Sequence, residues 1–240
     1  MASVMHFDLA LAEVLGILAK GAKWSNENQG VVAIAIFLVT IALGWLSGIF
    51  AALRRKPKFK LTIIPGPTFC CTFFVGKRYQ DYDLHRTGIA LYLNILNIGS
   101  APSSIENIAV GYHRHGKRLV GLLYMLSWHW LNDQVVALVD FKREIQGQIT
   151  LYPFLIQQSS FAKSTVNTYL EVGRSRNGMV YFEQANSWGN LYPAVNKGSV
   201  RLKIAVQDVL GKWWYRKFKV PSFSLEEARK FNPAFGKSLD

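Results

Sequence analysis

The clearest feature of the hydrophobic pattern is one long apolar run near the N-terminus. Val31–Leu53 spans 23 positions without a charged residue. A helix rises about 1.5 Å per residue, so this run is long enough to cross a hydrocarbon core of about 30 Å with some tilt. We therefore predict one transmembrane helix over Val31–Leu53. The alternative is the core helix of a soluble protein, which is rarely apolar on every face over such a length.

The charges on either side of this run indicate its orientation. Lys and Arg concentrate on the cytoplasmic side of membrane helices. The N-terminal side offers only Lys20 and Lys23, and it lacks the short basic region that precedes the apolar part of a signal peptide. We expect the cations of the C-terminal side to lie at the membrane surface, near anionic phospholipid headgroups: Arg54, Arg55, Lys56, Lys58 and Lys60. The sequence thus predicts a single-pass protein of the inner (plasma) membrane, with its N-terminus outside and its C-terminal domain in the cytoplasm.

Two features near this helix concern possible partners within the membrane. Small residues recur every fourth position and would form one stripe: Thr40, Gly44, Gly48 and Ala52. Such a stripe lets a second helix approach closely, which favours a homo-oligomer; the alternative is a lipid-facing groove without a partner. Residues 1–29 are predicted to be an amphipathic segment and a connector, and the apolar face of residues 5–20 contains Phe7, Leu11, Val14, Leu15 and Leu18. That segment would lie in the outer interface or pack against a partner membrane protein.

After the basic juxtamembrane segment 54–60, the pattern changes to short alternating runs typical of strands. The predicted strands are Lys58–Ile64, Phe69–Val75, Thr87–Leu96, Ile105–Tyr112, Val135–Phe141, Gln148–Ile156, Val166–Val172, Met179–Glu183, Val200–Val206 and Trp213–Val220. Short strands without alternating long helices favour an antiparallel β-sandwich, which we place at residues 61–240. Arg118–Asp140 is an insertion, a long edge hairpin or a helix. The capping-box spacing of Ser224 and Glu227 predicts a short C-terminal helix from Leu225 to Phe231.

Two stretches resemble bacterial immunoglobulin-like and fibronectin-like sandwiches. Leu93–Pro102, followed by Ile105, Ile108 and Val110, looks like their strand–turn–strand, and the turn at Asp208–Lys212 is similar to their terminal hairpin. The resemblance implies an immunoglobulin-like fold and no particular function.

Charge and cysteine content add a compartment and a class of ligand. The net charge is +13; residues 1–53 sum to −1, so the rest of the chain carries +14. A surface this basic attracts anions, which include phospholipid headgroups, nucleic acid, nucleotides and acidic proteins. The two cysteines, Cys70 and Cys71, are adjacent, and the chain has no Asn-x-Ser/Thr acceptor. Both observations fit a reducing cytosol.

The closing hairpin brings aromatic and basic residues to one predicted face. Val200, Leu202, Ile204, Val206, Trp214, Phe218 and Val220 are expected to face the core. The outward residues, predicted to bind an anionic ligand or lipid, are Arg201, Lys203, Trp213, Tyr215, Lys217 and Lys219. Aromatic rings beside cations suit nucleobases with phosphates or anionic lipid; the alternative is an edge strand that Lys protects from pairing. Arg216 interrupts the alternation, which indicates a bulge or an edge position.

No motif predicts a catalytic residue, a cofactor or a metal ion. The chain lacks Gly-x-Ser-x-Gly, a Gly-rich phosphate loop with its Lys, and a recognisable Cys–His pair. Possible metal ligands occur at alternate positions: Asp81, Asp83, His85, His113 and His115. Residues two apart can point the same way and so support a metal site, although simple strand alternation gives the same pattern.

The sequence therefore favours a non-enzymatic binding or scaffold module that recruits a protein partner to the cytoplasmic face of the membrane. A second hypothesis is a membrane-perturbing effector, as in anti-phage defence, whose basic domain senses an anionic ligand. A third is a metal-dependent enzyme that uses the possible ligands Asp81, Asp83, His85, His113 and His115.

Overall fold

The structure, a computed structural model, describes residues 16, 19–48, 55–114, 127–132, 134–135, 137–145, 147–156, 167–188 and 191–237. The chain divides into two compact units, Met1–Arg55 and Lys56–Asp240. The first contains an apolar helix, and the second is mainly β.

The first unit contains helix α1, Gln29–Leu46. Residues 19–27 are also helical, and Asn28 lies in a turn before α1. Helix α1 is long and apolar enough to cross a membrane, and none of its residues is buried. Several predicted positions lie outside the described residues: Phe7, Leu11, Val14, Leu15, Leu18, Ala52 and Arg54.

Helix α1 ends before the predicted end of the apolar run. Ser47 caps its C-terminus, because its N–H donates to the carbonyl of Leu43 at 2.8 Å. Gly48 follows with φ of 74°, the left-handed conformation that commonly ends a helix. Thr40 and Gly44 therefore share a stripe on α1, whereas Gly48 lies beyond the helix. Ala52, the last residue of the predicted stripe, lies outside the described residues.

The second unit begins within the basic juxtamembrane segment. The N–H of Ser100 donates to the carbonyl of Lys56 at 3.0 Å, and the N–H of Ile98 donates to the carbonyl of Lys58 at 2.8 Å. The first strand starts at Phe59, so Lys60 is a strand residue. The backbone is therefore fixed to the folded unit several residues before the predicted boundary at residue 61.

Two antiparallel sheets make up most of this unit. The strands are β1 Phe59–Ile63, β2 Phe69–Tyr79, β3 Tyr82–Asn97, β4 Ser103–Tyr112, β5 His129–Leu131, β6 Phe141–Ile145, β7 Gln148–Tyr152, β8 Tyr169–Leu170, β9 Ser175–Trp188, β10 Val195–Asn196, β11 Ser199–Asp208 and β12 Trp213–Pro221. In the first sheet, one edge of β3 pairs with β9. The other edge of β3 pairs directly with both β2 and β1, each along a different part of its length. In the second sheet, β11 lies between β4 and β12, and β4 also pairs with β5 and β8. Strands β6 and β7 form a separate hairpin.

The two sheets share one apolar core. Ile89 and Leu91 of β3 and Leu202 and Ile204 of β11 are fully buried in the same cluster. Burial of each such side chain contributes about 1.5–3 kcal/mol, so this core is the main stabilising feature of the unit. This core explains the alternation of apolar and polar residues along the strands, because every second side chain of a strand points into the core.

A second apolar cluster covers the other face of the first sheet. Helix α2, Leu225–Phe231, has the predicted bounds and the predicted capping box between Ser224 and Glu227. Its terminal residues Leu225 and Phe231 pack on this cluster. Beyond the helix, Phe235 is fully buried against Gly88. A Cβ at Gly88 would lie 2.4 Å from the Phe235 ring, so only glycine admits that ring.

A buried ion pair fixes the segment that follows α2. Arg86 donates to the carbonyl of Gly236 at 2.6 Å and lies 3.6 Å from the Glu183 carboxylate. The hydroxyl of Tyr181 donates to Glu183 at 2.8 Å and accepts from the N–H of Gly236 at 3.2 Å. Loss of one partner would leave a buried charge uncompensated, at a cost of about 3–5 kcal/mol.

The adjacent cysteines serve the two clusters separately. Successive strand residues point to opposite faces, so Cys70 enters the core between the sheets and Cys71 enters the cluster under α2. Burial raises the pKa of Cys71 to about 12 and raises the pKa of Cys70 further. Both thiols are free and buried and pack as small apolar side chains.

Some predicted strands differ from the structure. Residues 137–140 are not a strand, and β6 starts where the predicted strand Val135–Phe141 ends. Ala137 and Phe141 are nevertheless buried in the cluster under α2, so the apolar run reflects a packed loop. Within the predicted strand Val166–Val172, the structure contains the short strand β8. Within Arg118–Asp140, residues 127–132 contain edge strand β5, and residues 118–126 lie outside the described part of the chain.

Candidate functional site

The turn between β11 and β12 fixes the register of the closing hairpin. The Asp208 carboxylate accepts from the N–H groups of Leu210 at 3.0 Å and Lys212 at 2.8 Å. Gly211 supplies the left-handed residue of the turn, with φ of 79°. Pairing then runs without a shift from Gln207 opposite Trp213 to Ser199 opposite Pro221.

This register places all six predicted ligand-binding residues on one face. Val200, Leu202, Ile204 and Val206 are buried in the core, so the residues between them face outward. The outward cross-strand pairs are Arg201 with Lys219, Lys203 with Lys217, Ala205 with Tyr215, and Gln207 with Trp213. We call these eight positions the hairpin face. It contains four cations and no carboxylate.

Arg216 occupies an edge position rather than a bulge. It pairs with Ile204, so its Cα lies on the core side of the strand. Among the described residues, β12 pairs with β11 alone, and the Arg216 side chain is exposed. The edge lets this charge reach solvent from a core-side position, whereas the alternative of a bulge is wrong.

Like charges lie directly opposite each other on the hairpin face. Arg201 faces Lys219, and Lys203 faces Lys217. Such pairs destabilise a sheet, because each cation raises the energy of its neighbour. A bound anion would remove this repulsion.

Two tryptophans that the sequence did not assign to the site extend the hairpin face. The ammonium of Lys203 lies 4.6 Å from the ring centroid of Tyr215, 5.5 Å from that of Trp130 and 5.8 Å from that of Trp128. The Lys217 ammonium lies 5.7 Å from the Trp128 centroid. A cation over an aromatic face gains about 0.5–1 kcal/mol at an exposed site. These contacts hold Lys203 among three rings.

Small residues explain why Trp130 can lie over the sheet. Gly111 pairs with both Trp130 and Lys203, and a Cβ there would lie 3.1 Å from the Trp130 ring. Ala109 pairs with Ala205, and both are buried. A strip without large side chains therefore lies beneath the aromatic residues. In the sequence, Trp128-His129-Trp130 and Gly111 are the signals of this arrangement, but their pairing depends on the fold.

A polar cluster at the end of β4 joins the two sheets beside these rings. Tyr112 of β4 hydrogen-bonds Gln184 of β9 and donates to the carbonyl of Leu191 at 3.0 Å. The guanidinium of Arg114 lies 2.5 Å from Nδ1 of His129, the residue that separates Trp128 from Trp130 in the sequence. Burial lowers the pKa of His129, and the charge of Arg114 lowers it further. A neutral His129 ring can accept from Arg114, whereas a protonated ring cannot.

Three of the five residues proposed for a metal site have other contacts, namely Asp83, His85 and His113. Asp83 forms an ion pair with Arg78 at 2.7 Å. The His85 ring lies 5.0 Å from that of Tyr192, and the His113 ring lies 3.9 Å from that of Trp128. Within the described part of the chain, no group of three or more His, Cys, Asp or Glu residues could hold a metal ion. His115 lies outside that part.

The shifted pKa of His129 predicts a pH-dependent stability. Below its ordinary pKa of 6.5, this histidine binds a proton in the unfolded chain but resists it in the folded chain. The free energy of unfolding should therefore fall as pH drops below 6.5. Urea unfolding between pH 5 and pH 7.5, followed by tryptophan fluorescence, measures this slope. His129→Gln, which can still accept from Arg114, should flatten the curve; equal slopes for both proteins would contradict the assignment.

No protein-family model matches the chain, and no curated protein matches it significantly. A function therefore has to be inferred from the hairpin face and the apolar helix.

Proposed function

We propose that this protein is a membrane-tethered, non-enzymatic binding module. In this proposal α1 anchors the chain in the inner membrane, and the second unit is an immunoglobulin-like β-sandwich in the cytoplasm. The hairpin face binds an anionic ligand and so recruits that ligand, or a protein partner that carries it, to the membrane. The two sheets around one core and the resemblance of the closing hairpin support the sandwich.

The main support for this proposal is that cations lie directly opposite each other on the hairpin face. Two cross-strand pairs of like charge lower the stability of the hairpin without helping the core. Edge protection needs Lys on a strand, but it does not need a cation opposite each one. Binding of an anionic ligand would explain the arrangement, because all four charges together attract the ligand.

The surroundings of the face support the same function. Residues after position 53 carry +14, of which Arg54 and Arg55 contribute +2, so the second unit carries +12 and presents an attractive field to an anion. The three rings around Lys203 hold its ammonium in place before any ligand binds. A preorganised cation loses less side-chain entropy on binding than a free one.

The effector hypothesis receives less support from the structure. It requires close association of transmembrane helices through the small-residue stripe. Thr40 and Gly44 of that stripe lie on α1, Gly48 lies beyond its end, and Ala52 lies outside the described residues. Recruitment at the membrane needs only the anchor and the hairpin face.

Removal of the four cations should strongly weaken binding of a polyanion. Heparin is a suitable probe, and elution of the detergent-solubilised full chain from a heparin column measures its binding. The variant Arg201→Gln, Lys203→Gln, Lys217→Gln, Lys219→Gln should elute at much lower salt, because the local charge is lost.

A matched control separates a local site from overall charge. Lys77, Lys142, Arg143 and Arg174 are exposed and lie outside the hairpin face. Their replacement by Gln changes the net charge equally but should lower the eluting salt only slightly. Equal effects of the two variants would show that heparin binds the whole basic surface, and the proposed site would be wrong.

The proposed orientation predicts protection from external protease. In intact spheroplasts, the second unit should resist digestion, and detergent lysis should expose it. An antibody against a tag at the C-terminus follows the fragment. Digestion of the second unit before lysis would place it outside the cytoplasm, and recovery of the chain in the soluble fraction would exclude the anchor.

A further inference from the structure

We infer that the anionic ligand of the hairpin face is a single-stranded nucleic acid, with a base held at Trp213 and Tyr215 and phosphates held by the four cations. This inference rests on the proposed function and specifies the ligand of the same face. It follows from the shape of the aromatic pair, from the separation of rings and charges along β12, and from the position of the rings on the sheet.

The aromatic pair has the geometry of a stacking site. The rings of Trp213 and Tyr215 are nearly parallel, with an interplanar angle of 21° and centroids 6.3 Å apart. Two nearly parallel rings at alternate positions of one strand give a base an extended aromatic surface to stack on. Tyr215 is 54% exposed, so its ring is also open to stacking from solvent.

The charges lie next to this pair along the same strand. Lys217 and Lys219 follow Tyr215 at alternate positions, about 6.7 Å apart by strand geometry. Lys203 and Arg201 lie opposite them on β11. The face thus offers a stacking site at one end and an extended cationic patch at the other. A nucleotide chain has the matching arrangement, with planar bases attached to a line of phosphates.

The position of the rings favours nucleic acid over a lipid surface. Interfacial segments insert apolar side chains about 5–10 Å into the headgroup region. Here Trp130 lies over Gly111, and its ring meets Tyr215 edge-on at 6.0 Å. Trp128, Trp130 and Trp213 are each partly buried. Three rings of this face are therefore partly covered by protein, which leaves less apolar surface for insertion into a bilayer than fully exposed rings would offer.

The same geometry selects unpaired bases. In a duplex, each base is stacked above and below and its flat faces are closed to a protein. Stacking on aromatic side chains is a general way to bind single strands without sequence preference. The hairpin face should therefore bind single strands more tightly than a duplex of equal length, although the duplex carries about twice the phosphate charge.

The test uses the full chain in nanodiscs of uncharged phosphatidylcholine and a fluorescein-labelled oligothymidylate of twelve nucleotides. Fluorescence anisotropy should show binding, and a duplex of the same length should bind at least ten times more weakly. For four contacted phosphates, log K against log salt concentration should have a slope of about −3.

Two double variants separate stacking from charge. Trp213→Leu with Tyr215→Leu should weaken oligothymidylate binding about 5- to 150-fold and leave the salt slope unchanged. Lys217→Gln with Lys219→Gln should reduce the magnitude of the slope by about 1.4. The control is Tyr79→Leu with Tyr82→Leu, which removes two exposed aromatic residues outside the face and should leave binding unchanged. Heparin lacks planar bases, so the Trp213/Tyr215 variant should lose much less affinity for heparin than for oligothymidylate, and its retained heparin binding also shows that the hairpin is folded.

The outcomes distinguish this inference from the proposed function. Heparin binding that depends on the four cations, without oligothymidylate binding, overturns the nucleic-acid ligand and leaves the anion-binding module. Unchanged oligothymidylate binding by the Trp213/Tyr215 variant overturns the stacking site. Tighter binding to phosphatidylserine vesicles than to the oligonucleotide, lost in that same variant, makes lipid the ligand. Failure to bind any of these polyanions overturns both proposals.

Discussion

The alternation of side chains along the closing hairpin determines both the core and the candidate site. Successive residues of a strand point to opposite faces, and a shift of register by one residue exchanges the faces. Burial of Leu202, Ile204 and Val206 therefore requires Arg201 and Lys203 to face outward. The site needs no separate fold of its own, because the energy that forms the core also positions the cations.

Local sequence patterns were sufficient where the structure depends on nearby residues. The bounds of α2 follow from the capping box at Ser224, and the faces of β11 and β12 follow from their alternation. The apolar character of α1 follows from composition alone. In the candidate site, all six predicted residues of the hairpin face lie together, since they belong to two strands joined by one tight turn.

Sequence reasoning failed where distant segments meet. Trp130 reaches the hairpin face because Gly111 leaves room beneath its ring, and nothing in the local pattern connects the two residues. The ion pair between Arg86 and Glu183 depends on β3 lying beside β9, which no local pattern indicates. The apolar run before Phe141 is a loop in which Ala137 is buried and Leu138 is exposed, and local alternation could not distinguish it from a strand. The turn at Gly48 within the apolar run had no strong signal, because glycine is also common inside membrane helices.

The central claim is that the residues of the hairpin face lie together outside the core and receive the ligand. Single cysteines along β12 test it directly, because native Cys70 and Cys71 are buried and should not react with a thiol reagent. Tyr215→Cys, Lys217→Cys and Lys219→Cys should be alkylated rapidly, and heparin should slow all three reactions. Phe218→Cys and Val220→Cys should react slowly with or without heparin, since these positions face the core. Equal rates at Lys219→Cys and Val220→Cys, or no effect of heparin at the outward positions, would contradict the account.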